Sequence, residues 1–169
     1  NGYANIMLGF HDLVVAGGSE SMTGTPYLVP SKIRTGTKMG ELVMQDHMLY
    51  DALTDAFEGY HMGITAENIV DQFGLTREEQ DNYSIQSYNR SAKAWAEGKF
   101  NEEVIPVEVP QRRGEPIVFS EDEEYKNVRM DKIPTLRPVF TKEGTVTAAN
   151  ASTINDGAGA MILMSEEKA

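Results

Sequence analysis

The apolar residues of this chain gather in two short runs near its ends and, between them, in stretches of helical spacing. The first run, Asp12-Leu-Val-Val-Ala-Gly-Gly18, is rich in β-branched residues and closes in a glycine turn, so it predicts a buried strand. The second, Ala158-Gly-Ala-Met-Ile-Leu-Met164, follows a turn or helix start at Asn155-Asp-Gly157 and is apolar on both faces. Two doubly buried strands in these places imply an α/β fold, with one shared sheet and a polar middle inserted between its strands. Ahead of them, Ile6–Leu8 and Gly9 predict a short helix and its cap.

The middle divides by period. From Ser19 to about Tyr60 no period is sustained, and Gly24, Pro26, Pro30, Gly36 and Gly40 predict loops with helical pieces near Gly40–Asp46 and Asp51–Phe57. Then Met62, Ala66, Ile69, Val70 and Phe73 share one helical face, and Gly74 suits a left-handed cap. Thr76-Arg-Glu-Glu79 is a capping box that opens a second helix, expected to run to about Glu97 and stop at Gly98. On it Tyr88, Ala92 and Trp95 form an aromatic-and-small face. Glu103–Val109 has a strand pattern with Pro106 as an edge or bulge, Arg112-Arg-Gly-Glu-Pro116 is a turn, and Ser120–Glu124 is acidic and exposed. Thr145–Ala151 is small and β-prone.

Composition removes several function classes. The 169 residues fit a single domain, and no apolar run reaches the roughly 20 residues of a membrane helix. Net charge is −11, from 15 Lys and Arg against 26 Asp and Glu, which speaks against nucleic acid as a partner. There is no cysteine, so no Cys nucleophile, disulfide or thiolate metal site exists in the chain, and His11, His47 and His61 have no metal-ligand spacing. The N-terminal residues form neither a signal nor a transit peptide.

Single residues carry little chemistry by themselves. His61-Met62-Gly63 before a helix reads as packing, Tyr88 as a core residue with a satisfied hydroxyl, and Glu78–Glu79 and Glu123–Glu124 as solvated charges. Lys126, Arg129 and Lys132 concentrate positive charge in an acidic chain. They read either as the seat of a phosphorylated nucleotide or as a solvated loop answering the acids at 121–124.

The order of segments says more. Val15-Ala-Gly-Gly-x-Glu-Ser-Met22, His61-Met-Gly-Ile-Thr-Ala-Glu-Asn68, Thr76-Arg-Glu-Glu-Gln-Asp81, Gly144-Thr-Val-Thr-Ala-Ala-Asn-Ala-Ser152 and Asn155-Asp-Gly-Ala158 follow one another along the chain. This set resembles the acetyl-CoA acetyltransferase branch of the thiolase family, over essentially the whole chain. The resemblance implies a partial thiolase fold: residues 1–18 and 151–169 from the N-terminal α/β domain, bracketing a loop domain at 19–150 that binds coenzyme A.

By resemblance, Tyr88, Asn127, Val128, Arg129, Lys132 and Ser152 are coenzyme A contacts, and Leu53, His61, Met62 and Phe140 line the pantetheine and acyl pocket. The Ala148-Ala149-Asn150-Ala151 sequence with Tyr88 resembles a potassium-activated mitochondrial branch. There the Tyr88 hydroxyl and the carbonyls of Ala148, Ala149 and Ala151 would hold the ion, neutral oxygens being suitable ligands for an alkali cation. The family's catalytic cysteines and histidine have no counterpart here, so no catalytic residue is assigned and the chain alone is expected to be inactive. The implied parent is a homotetramer of the mitochondrial matrix, with Gly24–Tyr50 as its tetramerisation loop. It would cleave acetoacetyl-CoA with free coenzyme A, or condense two acetyl-CoA. The rival reading is a non-catalytic acyl-CoA-binding or scaffold protein.

Overall fold

The computed structural model describes residues 1–169. In chain order the elements are α1 (Gly2–Met7), β1 (Leu13–Glu20), β2 (Tyr27–Leu28), β3 (Gln45–Asp46), α2 (Met62–Phe73), α3 (Arg77–Ala96), β4 (Val107–Val109), β5 (Ile117–Phe119), α4 (Glu124–Asn127) and β6 (Gly157–Met164). Two 3-10 turns, Ser31–Thr35 and Met130–Thr135, and a π turn at Met48–Leu53 complete them. The chain forms two compact units, residues 1–61 with 153–169, and residues 62–152.

In the first unit the two terminal apolar runs pair, as expected. β1 and β6 are antiparallel, in register from Leu13 opposite Met164 to Glu20 opposite Gly157. The expectation that both are buried on both faces is not met. α1 covers one face so closely that a Cβ on Gly2 would lie 2.8 Å from Leu163 Cδ1 and 3.2 Å from Val14 Cγ1. On the other face Val15 and Ile162 are 68% and 62% exposed, because no second layer packs there and the sheet has only these two strands. Between them the chain is irregular. The helical piece expected at Gly40–Asp46 is replaced by a ribbon pairing Gln45–Asp46 with Tyr27–Leu28. The piece expected at Asp51–Phe57 starts earlier, as the π turn.

The second unit is built on α2 and α3. Gly74 caps α2 at φ 65°, and Gly98, at φ 67°, lies just past the end of α3. The capping box is formed: the Glu79 N–H donates to Thr76 Oγ1 at 3.2 Å, and the Thr76 N–H donates to Glu79 Oε2 at 2.8 Å. The Thr76 N–H, and then the Thr76 hydroxyl that donates to the same oxygen at 2.8 Å, favour the charged carboxylate and hold the Glu79 pKa below its ordinary value. The inward face of α2 differs from the expected one. Gly63, Glu67 and Val70 are buried, whereas Met62, Ile69 and Phe73 are exposed. The stripe is rotated because a carboxylate, not an apolar group, makes the main contact.

After α3, Trp95 packs on Phe100 with ring centroids 4.9 Å apart. The expected strand at 103–109 begins only after Pro106, as β4, and pairs with β5 across the expected turn. The acidic stretch leads into α4, an element that the acids at 120–124 do not suggest. The β-prone segment 145–151 forms no strand; side chains hold it as a loop. The chain's buried apolar residues, Val70 on α2, Ile133 in the Met130–Thr135 turn and Val146 in that loop, all lie in this unit. No helix is long and apolar enough to cross a membrane.

Candidate functional site

Helix α3 carries one stripe from end to end: Arg77, Asp81, Ser84, Tyr88, Ala92 and Trp95, spaced four, three, four, four and three residues apart. Residues at such spacing share a helix face. The C-terminal half of the stripe is the aromatic-and-small face read from sequence. Its N-terminal half is polar and buried, and organises the loops.

Asp81 is 5% exposed. It accepts from Arg77 Nε at 2.7 Å and from Asn150 Nδ2 at 3.0 Å. Arg77 Nη2 also donates to the carbonyls of Ile133, at 2.9 Å, and Leu136, at 3.1 Å. Asn150 fastens its own loop, receiving the Thr147 N–H at 2.7 Å and donating to the Thr145 carbonyl at 3.1 Å. From α2, the 7%-exposed Glu67 receives the backbone N–H groups of Thr145 and Val146. Gly144 is required beside it, because a Cβ there would collide with the Glu67 carboxylate. Buried acids of this kind are tolerated when every oxygen is hydrogen-bonded.

These bonds frame a cavity of about 400 Å³, within the range of small-molecule sites. Its walls are Tyr88 on α3, the segment from α4 through the Met130–Thr135 turn to Leu136, and the Ala148–Ala149 turn. The Tyr88 hydroxyl donates to the Ala149 carbonyl at 3.3 Å. Burial, and then the negative charge of Glu124, push the Tyr88 pKa up, so the phenol stays protonated at neutral pH.

Of the residues singled out from sequence, Tyr88, Asn127, Val128, Arg129, Lys132, Ala148 and Ala149 meet on this cavity. Ala151 and Ser152 belong to the same unit but do not line it; Ala151 is held by its N–H to the Thr147 carbonyl at 3.0 Å. Met62 and Phe140 are off the cavity too, Phe140 lying against Gly63, where a Cβ would collide with its ring. Leu53 and His61 belong to the other unit, where His61 bridges to Thr54. The basic trio does not stay together. Lys126 pairs with Glu121 at 2.5 Å, whereas Arg129 and Lys132 line the cavity. Around Glu121, the Tyr125 hydroxyl donates to the same carboxylate and its pKa is pushed up to about 12.

Sequence reasoning missed Glu67, Asp81 and Asn150 as architects of the site, and Glu124 as part of its wall. The usable signal was the α3 stripe continued backward from Tyr88 to Arg77.

Comparison with known proteins decides the family. The model of the thiolase N-terminal domain matches residues 1–167. The chain belongs to the thiolase family. A probable acetyl-CoA acyltransferase of Staphylococcus aureus strain NCTC 8325 is 52% identical over 168 residues, which are 99% of this chain and 42% of that protein. Its counterpart in strain RF122 is 53% identical over the same shares. A crystal structure of Acat5 thiolase from Ascaris suum in complex with coenzyme A matches with a TM-score of 0.84 and 45% identity, covering 97% of this chain and 41% of that one. The fold is therefore an α/β thiolase fold, and the chain spans about two fifths of the thiolases it matches.

Proposed function

We propose that this chain is the coenzyme-A-holding part of an acetyl-CoA C-acetyltransferase, a thiolase that reversibly cleaves acetoacetyl-CoA with coenzyme A. The observation that carries this reading is the cavity where Tyr88, Asn127, Val128, Arg129 and Lys132 meet Ala148 and Ala149. Two cations in its wall suit a phosphorylated ligand in a chain of net charge −11, and the family relative from Ascaris suum has been crystallised with coenzyme A. Thiolase chemistry runs through an acyl-cysteine, and these 169 residues contain no cysteine. In this reading the nucleophile lies in the rest of a full-length enzyme, and the chain alone does not turn over.

Potassium is proposed as an activator. The Tyr88 hydroxyl and the Ala149 carbonyl, 3.3 Å apart, are close enough to serve one cation together, and Ala148 lines the same cavity. These neutral oxygens suit an alkali ion, and no cluster of acids or histidines suits a harder divalent one. Bound there, potassium would brace the 148–151 loop against α3. A homotetramer is supported by the segment 24–50, which exposes Tyr27, Met39, Val43, Met44 and Tyr50.

The test is thiolysis of acetoacetyl-CoA by the full-length protein, in potassium and in sodium at equal ionic strength. Turnover that rises in potassium supports both parts of the reading. Turnover indifferent to the cation removes the potassium assignment. Coenzyme A binding with no turnover in either salt favours a non-catalytic acyl-CoA-binding protein.

A further inference from the structure

Two walls of the cavity are loops that do not hydrogen-bond to one another across it. One is the Met130–Thr135 turn continued to Leu136, which presents Lys132. The other is the Ala148–Ala149 turn. Outside the cavity the Val139 N–H donates to the Val146 carbonyl at 3.0 Å, and at the cavity itself a relay lying on α3 connects them. The carbonyls of Ile133 and Leu136 hang on Arg77 Nη2, Arg77 Nε reaches Asp81 Oδ2, Asp81 Oδ1 receives Asn150 Nδ2, and Asn150 Oδ1 receives the Thr147 N–H.

The two oxygens of Asp81 thus serve different walls. That division is more than burial of a charge requires, since either partner could have been bonded through both oxygens while the other loop went its own way. Thr147, fully buried, passes the restraint into the turn: its hydroxyl receives the N–H groups of Ala149 and Asn150 at 3.3 and 3.4 Å. Tyr88, two helical turns beyond Asp81 on the same stripe, closes the far end through its bond to the Ala149 carbonyl.

We propose that Asp81 is a positioning residue for the coenzyme A cavity, its two oxygens setting the separation of the Lys132 wall from the Ala148–Ala149 wall through Arg77 and Asn150. The inference rests on the reading of this cavity as the coenzyme A site. Asp81 does not line the cavity, so it acts only through these neighbours. A ligand that bridges two walls gains affinity when their spacing is fixed in advance and loses it when one wall drifts.

The substitution that isolates the effect is Asp81→Asn in the full-length protein. The amide keeps the volume but offers one acceptor, so its NH₂ must face either Arg77 Nε or Asn150 Nδ2, both donors, and one wall is released. The coenzyme A dissociation constant, measured by calorimetry, is expected to rise about tenfold, the loss of one charge-assisted bond. Turnover at saturating substrate should stay within about twofold, as for a group that does not touch the reacting atoms.

The exchange Asp81→Asn with Asn150→Asp provides the rescue. The amide now on α3 can donate to the carboxylate now on the loop, while its own oxygen accepts from Arg77. That loop carboxylate still accepts the Thr147 N–H but can no longer donate to the Thr145 carbonyl, so the recovery is partial. Affinity should return closer to the wild-type value than in Asn150→Asp alone, which carries the same loss at Thr145. Should Asp81→Asn fail to fold, Arg77→Lys replaces it: lysine keeps the charge toward Asp81 but cannot hold both carbonyls, so affinity should still fall.

Unchanged affinity in the folded variant, or a lower melting temperature alone, overturns the positioning role. So does an exchange variant no better than Asn150→Asp alone. Lys132→Ala is the control that separates the two claims. If wild-type protein binds coenzyme A and Lys132→Ala weakens it while Asp81→Asn does not, only the positioning role is lost. If wild-type protein does not bind coenzyme A, the cavity reading fails and takes this inference with it.

Discussion

Glu67 and Val146 stand 79 residues apart in sequence, and the carboxylate of the first accepts the backbone N–H of the second at 2.9 Å inside the protein. The same carboxylate takes the Thr145 N–H at 3.0 Å and the Thr145 hydroxyl at 3.1 Å. A helix side chain has replaced the neighbouring strand that the β-prone segment 145–151 would otherwise need for its amide groups.

Glu67→Gln keeps the shape and puts an NH₂ group against those donors. A buried N–H left without a partner costs about 1–3 kcal/mol. The expected result, in the full-length protein, is faster hydrogen exchange at the Thr145 and Val146 amides, with exchange in β1 and β6 unchanged. Unchanged exchange at 145 and 146 would show that the loop holds without the carboxylate.

Gly63 is a second point where packing leaves no choice. A Cβ there would run into the Phe140 ring from a buried position on α2. Overpacking of this kind costs about 1–3 kcal/mol. Gly63→Ala is therefore expected to lower the urea midpoint of the full-length protein, and Gly63→Ala with Phe140→Leu to recover part of the loss. Two variants equally destabilised would place the strain elsewhere.

Both sites mark the limit of what the sequence makes legible. The pairing of β1 with β6 can be read from two β-branched and apolar runs, and the start of α3 from Thr76 and Glu79, because those signals are local. Tyr88 and the 127–132 segment are reached through resemblance to thiolases, and the structure shows them on one cavity. Glu67 is not legible, and Asp81 is legible only as a member of the α3 stripe. A charged residue on a helix reads as solvated until its partners are known, and the loop groups that these two hold lie 78 and 69 residues further along the chain. The apolar period on α2 even points beside the true inward face, since hydrophobic spacing takes no account of a buried acid bonded to a loop.

Lys132 lines the cavity, with only Asp131 as an ionic neighbour, at 3.8 Å. Its side chain is exposed, so it acts on a phosphate as a screened point charge. Lys132→Ala should cost about 0.5–1 kcal/mol of coenzyme A binding. The expected outcome is a rise of a few-fold in KM for coenzyme A, smaller at high salt, with kcat barely moved, because the contact is the same in ground and transition states. A large fall in kcat at constant KM would assign Lys132 to the chemistry instead of the grip.

Hydrogen exchange of the full-length protein with and without coenzyme A tests the cavity assignment most directly. Added protection is expected in the segments 127–136 and 145–151, which carry the two loop walls, with none in the β4–β5 hairpin at 107–119. Protection absent from both walls, or confined to residues off the cavity, would contradict the assignment of coenzyme A to this site.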